Sequence, residues 1–522
     1  AEDTQHIFDL SAGGTVVLPS SQRFTVNHVG AVGDNSTDNL TIFEKAIVVA
    51  KASGAELIVP SGTFLFSAEL LTGSATGLTI RGTDPQKSKL KFTGATTWGG
   101  SLTFAVCDKI VIQDLFLEGT SDDVAGIYVF NGSSNVRVQN CTLANFGATS
   151  AGNHGAIELE DVTGIMIANC DVYGGLGGTN SDIRLTNCSD IVCESNLLRS
   201  VNGDAIVHAN TVNSESIFTF SNNIVRGKVR HGILAAYTVT SEHKLRGSIA
   251  NNSIYDCKTN GIYVQSGGNP TGEISITGNS VVCCGGEQVG DGAGNSGIHL
   301  SGDLGGTLSG NTLVNCGYDT SGVARGTGRG RGILLSFAEN WTVSGNTIVN
   351  SALHGIGVNE SGTLKNILIC GNTIVDAVDG LMYLGESHPD DRQVYVLDNT
   401  LTCLNIDSRG IYFYETNGNS DIIIKGNVIT GLKAGTNKSA ILWGVEKYKK
   451  VEISNNTFKN WDYALTSTNN ATNPNEDWAF GRCVYLDHNT YDNVTTPFNI
   501  RKAYIHSAVG AYNRFINTTP GF

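Results

Sequence analysis

Proline is rare in this chain, at 8 of 522 residues, methionine rarer still at 2, and charged side chains make up only 16%. These scarcities exclude a highly charged disordered chain and a coiled coil, and 64 glycines without a Gly-X-Y period exclude collagen. No stretch approaches the ~20 apolar residues of a membrane span, and Ala1 to Leu10 lacks the basic and apolar regions of a signal peptide. Membrane insertion is therefore not expected. Basic residues, 34, are outnumbered by 48 acidic ones for a net charge of −14, so a nucleic-acid backbone is repelled on average. Zinc-type Cys/His spacings, phosphate-cradling glycine loops that open a helix and Gly-x-Ser-x-Gly elbows are also missing. Neither a metal nor an organic cofactor is expected. The 12 cysteines are scattered, include the adjacent pair Cys283-Cys284, and often follow the asparagine of a recurring turn. They are expected to be buried thiols, which favours folding in a reducing cytoplasm.

What the chain has instead is a repeat. From about residue 130 an alternating apolar strand leads into Gly-Asn or a variant, then a short apolar strand, a turn, and Gly-Ile opening a third strand, as in WTVSGNTIVN and ILICGNTIVD. The turn asparagines, Asn140 through Asn489, are separated by 12 intervals over 349 residues, a period of about 29. Such a period indicates stacked units, and period-two patterning with β-branched residues makes the units strands. Three short strands per coil predict an all-β, right-handed parallel β-helix of about 13 coils. Asparagine tolerates the left-handed backbone that the sharp turn demands, and stacked asparagines can hydrogen-bond along the ladder.

A stack needs a cap over its first coil. The run DNSTDNLTIFEKAIVVAKASG supplies one as a helix, with Asp38 or Thr37 as its cap, Ile42, Phe43, Ile47 and Val48 as its apolar face, and Gly54 after its end. The expected organisation is a lead-in over 1–27, an entry segment with the capping helix over 28–75, the β-helix over 76–515 and a tail over 516–522. Across about residues 28 to 66, the Gly-Ala-x-Gly-Asp-type turn, the helix and a strand ending in Pro-x-Gly-x-Phe64 resemble the entry motif of the pectate-lyase-like β-helix superfamily. Within it, the chain most resembles bacteriophage tailspike depolymerases. That resemblance implies a homotrimer carried on a virion tail, made in the host cytoplasm and acting on a bacterial surface polysaccharide.

In a parallel stack, equivalent positions lie about 4.8 Å apart, so columns of sequence become columns in space. The residue before each Gly-Ile is polar: Asp204, His231, Asn260, Ser296, Arg331, His354, Asp379, Arg409 and Ser439. Long glycine-rich loops after Asn279 and Asn311 carry Glu287, Asp291, Arg325 and Arg329 and are expected to form a wall for an extended polymer. Acids recur at the end of the Gly-Ile strand, at Glu360, Glu386, Glu415 and Glu446. Neighbouring coils allow the ~5 to 9.5 Å carboxylate spacings of glycosidases, so Glu360 and Glu386 are the expected acid/base pair, with His354 and Asp379 beside them. Arg331, Arg325, Arg329, Glu415, His299, Tyr263, Tyr412 and Arg184 are the expected substrate-binding set. The face after Gly-Ile, with Leu234, Tyr263, Leu334, Met382, Tyr412 and Leu442, is expected to point outward as a sugar platform or a subunit contact.

A second cluster competes with the first. TNSDI, NGDAI and RHGI resemble polygalacturonase motifs, which makes Asp182 and Asp204 candidate carboxylates and His231 the assisting histidine, with Glu158, Glu160 and Arg184 nearby. The double aspartate is single here and the Arg-Ile-Lys substrate motif is missing. The leading expectation is an endoglycosidase. A lyase using Arg331, His354 or Tyr383 on a uronate, and a non-catalytic glycan adhesin, remain alternatives.

Overall fold

The computed structural model describes residues 18, 22–94, 99–119, 125–146, 154–174, 180–200, 203–211, 215–228, 230–238, 243–267, 270–287, 295–302, 304–326, 329–359, 365–385, 392–405, 409–414, 420–433, 438–443, 448–467, 483–499, 508–509 and 512–518. The chain divides into two compact units, Ala1–Ser253 and Ile254–Phe522. Each unit consists of short strands in three parallel sheets, one sheet per side of the coil, as the repeat predicts.

In the first unit a helix, Leu40–Ser53, packs Phe43 edge-on against Phe64 and Phe66 at ring distances of 5.5 and 4.9 Å. Gly54 ends it in the left-handed conformation, with its N–H on the Ala50 carbonyl, as expected. The start and the apolar face differ from expectation. Asn39 is the N-cap residue, fully buried, and it spends its side chain on the Val32 and Thr37 backbone rather than on the helix. Val48 is 62% exposed, and Val49 and Ala50 are buried in its place. The Gly-Ile sheet runs in register through Leu71, Thr103, Tyr128, Glu158, Arg184, Val207 and Leu234.

In the second unit the corresponding register runs through Tyr263, His299, Leu334, Gly357, Tyr383, Tyr412 and Leu442. The glycine of Gly-Ile has a steric cause. A Cβ on Gly332 would stand 2.6 Å from the Gly355 carbonyl oxygen and 2.6 Å from Ile348 Cγ2, and one on Gly355 would stand 2.4 Å from Ile374 Cγ2. The glycine therefore faces inward, as does the isoleucine that follows it. Two successive inward positions turn the residue before the glycine away from the core, so these residues form a column of their own along the sheet, covered at Ser296, Arg331 and His354.

The turn asparagines do not take the left-handed conformation themselves in most coils. The residue before them does, for example Asn222, Gly345, Asp398 and Asn455, while Asn140 and Asn169 are left-handed and hand the inward place to Cys141 and Cys170. The inward asparagines form ladders. In the second unit Nδ2 of Asn311 donates to Oδ1 of Asn346, and Asn346 to Asn372, each at 2.9 Å, and the same bond joins Asn196 to Asn223 in the first unit. The eleven cysteines with described side chains are free thiols, and all but Cys370 are buried.

Candidate active site

In the second unit the column residue is Ser296, then Arg331, then His354, then Gly380, then Arg409. Asp379 is thus not in the column. The phrase Asp-Gly-Leu imitates x-Gly-Ile, but Leu381 and Met382 are the two inward residues here, which moves the register by one. Met382 pairs with Ile356 and is fully buried, so the expectation that it points outward is corrected, and Tyr383 takes the outward place. Asp379 nevertheless reaches the gap left by Gly380. Its Oδ2 lies 3.2 Å from His354 Nε2 and its Oδ1 accepts a hydrogen bond from Arg409 Nη1 at 3.2 Å.

The histidine and the carboxylate differ in environment. His354 is 5% exposed, its ring stacks on Tyr383 at 4.9 Å, and its Nδ1 is buried and makes no hydrogen bond among the described residues. Burial pushes its pKa below the usual 6.5, against the pull of Asp379 and with help from the charges of Arg331 and Arg409. Asp379 has a side chain 44% exposed, and the hydrogen bond to His354 holds its carboxyl below the usual carboxylate range, with Arg409 and Lys438 adding attraction. At neutral pH the imidazole is neutral and the carboxylate charged. A half-exposed carboxylate fixed by two donors can act as a base, as a nucleophile, or as a stabiliser of positive charge on a reacting sugar.

Around this pair the sheet supplies cations and rings. Arg331 lies across Gly357, where a Cβ would stand 2.9 Å from its Cδ. Tyr383 leans over Gly385, and Tyr412 carries Arg409 over its ring at 5.2 Å. Tyr263 and His299 stack at 4.7 Å, with His299 Nε2 3.2 Å from Ser336 Oγ, but at 7% and 4% exposed they are covered. Arg325, expected to contact substrate, has its guanidinium on Asp256 and the Cys257 carbonyl and its side chain 9% exposed, so it ties the long loop to its coil. Arg329 is half-buried. Glu360, Glu386 and Glu415 lie outside the described residues.

The first unit separates the second cluster into different roles. Asp182 occupies the inward glycine position, 1% exposed, where it binds Lys228 and Ser200; Lys228 Nζ also donates to the Ser200 carbonyl at 2.8 Å. It is an interior ion pair and does not face solvent, which corrects its place among the catalytic candidates. Asp204 and His231 share the column but are 2% and 0% exposed, and Asp204 accepts the His231 backbone N–H at 2.9 Å. Sequence reasoning missed Lys228 and the space-making glycines 357 and 380. Gly357 was legible as the second glycine of Gly-Ile-Gly; Lys228 carried no pattern.

Residues 76–245 and 239–418 both match the family model for the right handed beta helix region. The chain belongs to that family. No curated protein matches it in sequence. Among solved structures the β-helix is similar to an exopolygalacturonase from Thermotoga maritima, at 13% identity and TM-score 0.46, covering 70% of this chain and 94% of that one. It is also similar to a tailspike protein variant of E. coli bacteriophage HK620 in complex with a pentasaccharide, at 12% identity and TM-score 0.49, covering 84% and 78%. A third is the catalytic unit of an α-1,3-glucanase from Streptomyces thermodiastaticus, at 14% identity and TM-score 0.39, covering 78% and 68%.

Proposed function

We propose that this β-helix is an endoglycosidase that hydrolyses a bacterial surface polysaccharide at the His354–Asp379–Arg409 corner. The observation that carries the reading is the clamped Asp379 carboxylate, kept ionised yet half exposed beside a neutral histidine and two outward tyrosines. Asp379 serves as the base that activates water, or as the nucleophile. The proton for the departing sugar oxygen comes from Glu360 or Glu386, which directly follow the strands His354–Asn359 and Gly380–Gly385 in sequence. His354 and Arg409 fix Asp379, and Tyr383 and Tyr412 offer ring faces to sugar rings. We extend the reading to a homotrimer on a virion tail, which the entry motif supports.

Asp379→Asn, Glu360→Gln and Glu386→Gln are the test, with polysaccharide digestion followed by mass spectrometry of the products. Asp379→Asn and one of the two glutamate variants are expected to lose at least ~100-fold in turnover with the fold retained. Full activity in all three would sink the assignment. One observation favours a lyase as second reading: Arg331, at the column position next to His354, is a cation suited to a uronate carboxylate. Products with the ultraviolet absorbance of an unsaturated uronate would establish it and exclude hydrolysis.

A further inference from the structure

The first unit carries an outward group of side chains that the active-site reading does not use. Tyr128, Glu158 and Arg184 stand on successive strands in one register column, so their backbones span about 10 Å, close to two sugar residues. Glu158 and Arg184 are neighbours of opposite charge, yet they form no ion pair with each other. Glu158 turns one oxygen, Oε2, back to His154 Nδ1 at 2.9 Å and to the Gly155 N–H at 3.2 Å, while its Oε1 makes no hydrogen bond among the described residues. The residue is 7% exposed and therefore rigidly held. Arg184, half-buried beside it, makes no hydrogen bond or ion pair among the described residues.

Two further features point to a ligand here. Ser181, on the Arg184 strand and in register with Gly155, is 3% exposed with a hydroxyl that makes no hydrogen bond among the described residues. Thr103, beside Tyr128 in the same column, is fully buried, and its hydroxyl likewise has no hydrogen bond among the described residues. Unpaired buried hydroxyls are uncommon and mark a place where another polar group belongs. Glycines let this group pack closely: a Cβ on Gly100 would stand 2.5 Å from Tyr128 Cβ and one on Gly155 2.8 Å from Arg184 Cβ, while Gly99 lies under the His154 ring. Tyr128, its ring stacked on Phe130 at 4.7 Å and its hydroxyl donating to Glu160 at 2.8 Å, ends the group with a fixed aromatic surface.

We propose that Tyr128, Glu158, Arg184 and Ser181 form a second saccharide-binding site, which takes a neutral sugar through a pair of vicinal hydroxyls. One hydroxyl donates to Glu158 Oε1 and its neighbour accepts from the Arg184 guanidinium. A carboxylate and a guanidinium on adjacent strands, each unpaired toward the other, match that donor and acceptor pair. A uronate carboxylate would meet Glu158 as a like charge, so the site selects neutral sugars. This inference does not depend on the active-site reading.

The test uses the full chain carrying Asp379→Asn, with defined oligosaccharides of glucose, galactose, mannose and N-acetylglucosamine and, for contrast, of galacturonate and mannuronate. Binding is followed by saturation-transfer NMR and calorimetry. At least one neutral oligosaccharide should bind, and Arg184→Ala or Glu158→Gln should weaken it roughly tenfold or more, the scale of a lost charged hydrogen bond, with the melting curve unchanged. A deoxy analogue lacking one hydroxyl of the pair should bind as weakly to the unaltered site. Absence of any neutral binder, binding confined to uronates, or binding that survives Arg184→Ala and is abolished by Arg331→Ala would overturn the proposal. Polysaccharide cleavage, measured separately, reports on the other site alone.

Discussion

His354 and Asp379 depend on each other, and their pKa shifts give the dependence a sign. The largest cause holding Asp379 below the usual range is its hydrogen bond to His354. His354→Gln weakens that hold, so the Asp379 pKa rises toward 3.8 and the acid limb of the kcat/KM profile should move to higher pH. A limb that stays in place would mean that Asp379 is not the group whose protonation stops the reaction. A second pair tests interior charge. Lys228 and Asp182 are almost fully enclosed, and removing one partner leaves the other buried and uncompensated. Lys228→Met should therefore cost about 3 to 5 kcal/mol in urea unfolding. The double variant Asp182→Leu with Lys228→Met should recover much of that, because Leu381 fills the same inward position in another coil.

At the scale of the strand, the three-sided coil was legible because its causes are local: alternation fixes the faces, and an inward glycine recurs wherever a side chain would strike the next coil. The asparagine ladder was legible for the same reason. The register at Asp379 was not, because a leucine and a methionine can both face inward where glycine and isoleucine usually do, and only packing selects between the two alignments. Side-chain fate was also hidden. Arg325 and Asp182 have the same composition signature as site residues, yet three-dimensional partners far along the chain, Asp256 and Lys228, turn them into structural groups. The two kinds of glycine should respond differently to a methyl group. Gly332→Ala drives its Cβ into the core against Ile348 and should cost about 1 to 3 kcal/mol in stability. Gly357→Ala meets the flexible Arg331 side chain instead, so it should leave the melting temperature nearly unchanged while altering KM.

For the whole chain, pH acts through opposing groups. Several carboxylates are held below their usual range by hydrogen bonds, Asp38 by Ser67, Asp108 by Ser134 and Asn135, Asp379 by His354 and Glu452 by Lys450. A depressed carboxylate contributes stability above its unfolded pKa, and that stability is lost as pH falls through the lower folded value. His354, depressed below 6.5, favours unfolding once the unfolded histidine takes up a proton, so it lowers stability as pH drops below 6.5. Asp182 works the other way. Burial pushes its carboxyl up to about 6, against the pull of Lys228, so between pH 6 and 4 this one group is protonated in the folded chain and charged in the unfolded one, and its contribution to stability rises as pH falls. The melting temperature should accordingly change little from pH 6 to 4 and drop steeply below about 4. Asp182→Asn removes the opposing contribution, so its melting temperature should fall steadily across the pH 6 to 4 window where the unaltered chain holds level. Parallel curves for the two proteins would show that Asp182 does not titrate between folded and unfolded states in that window.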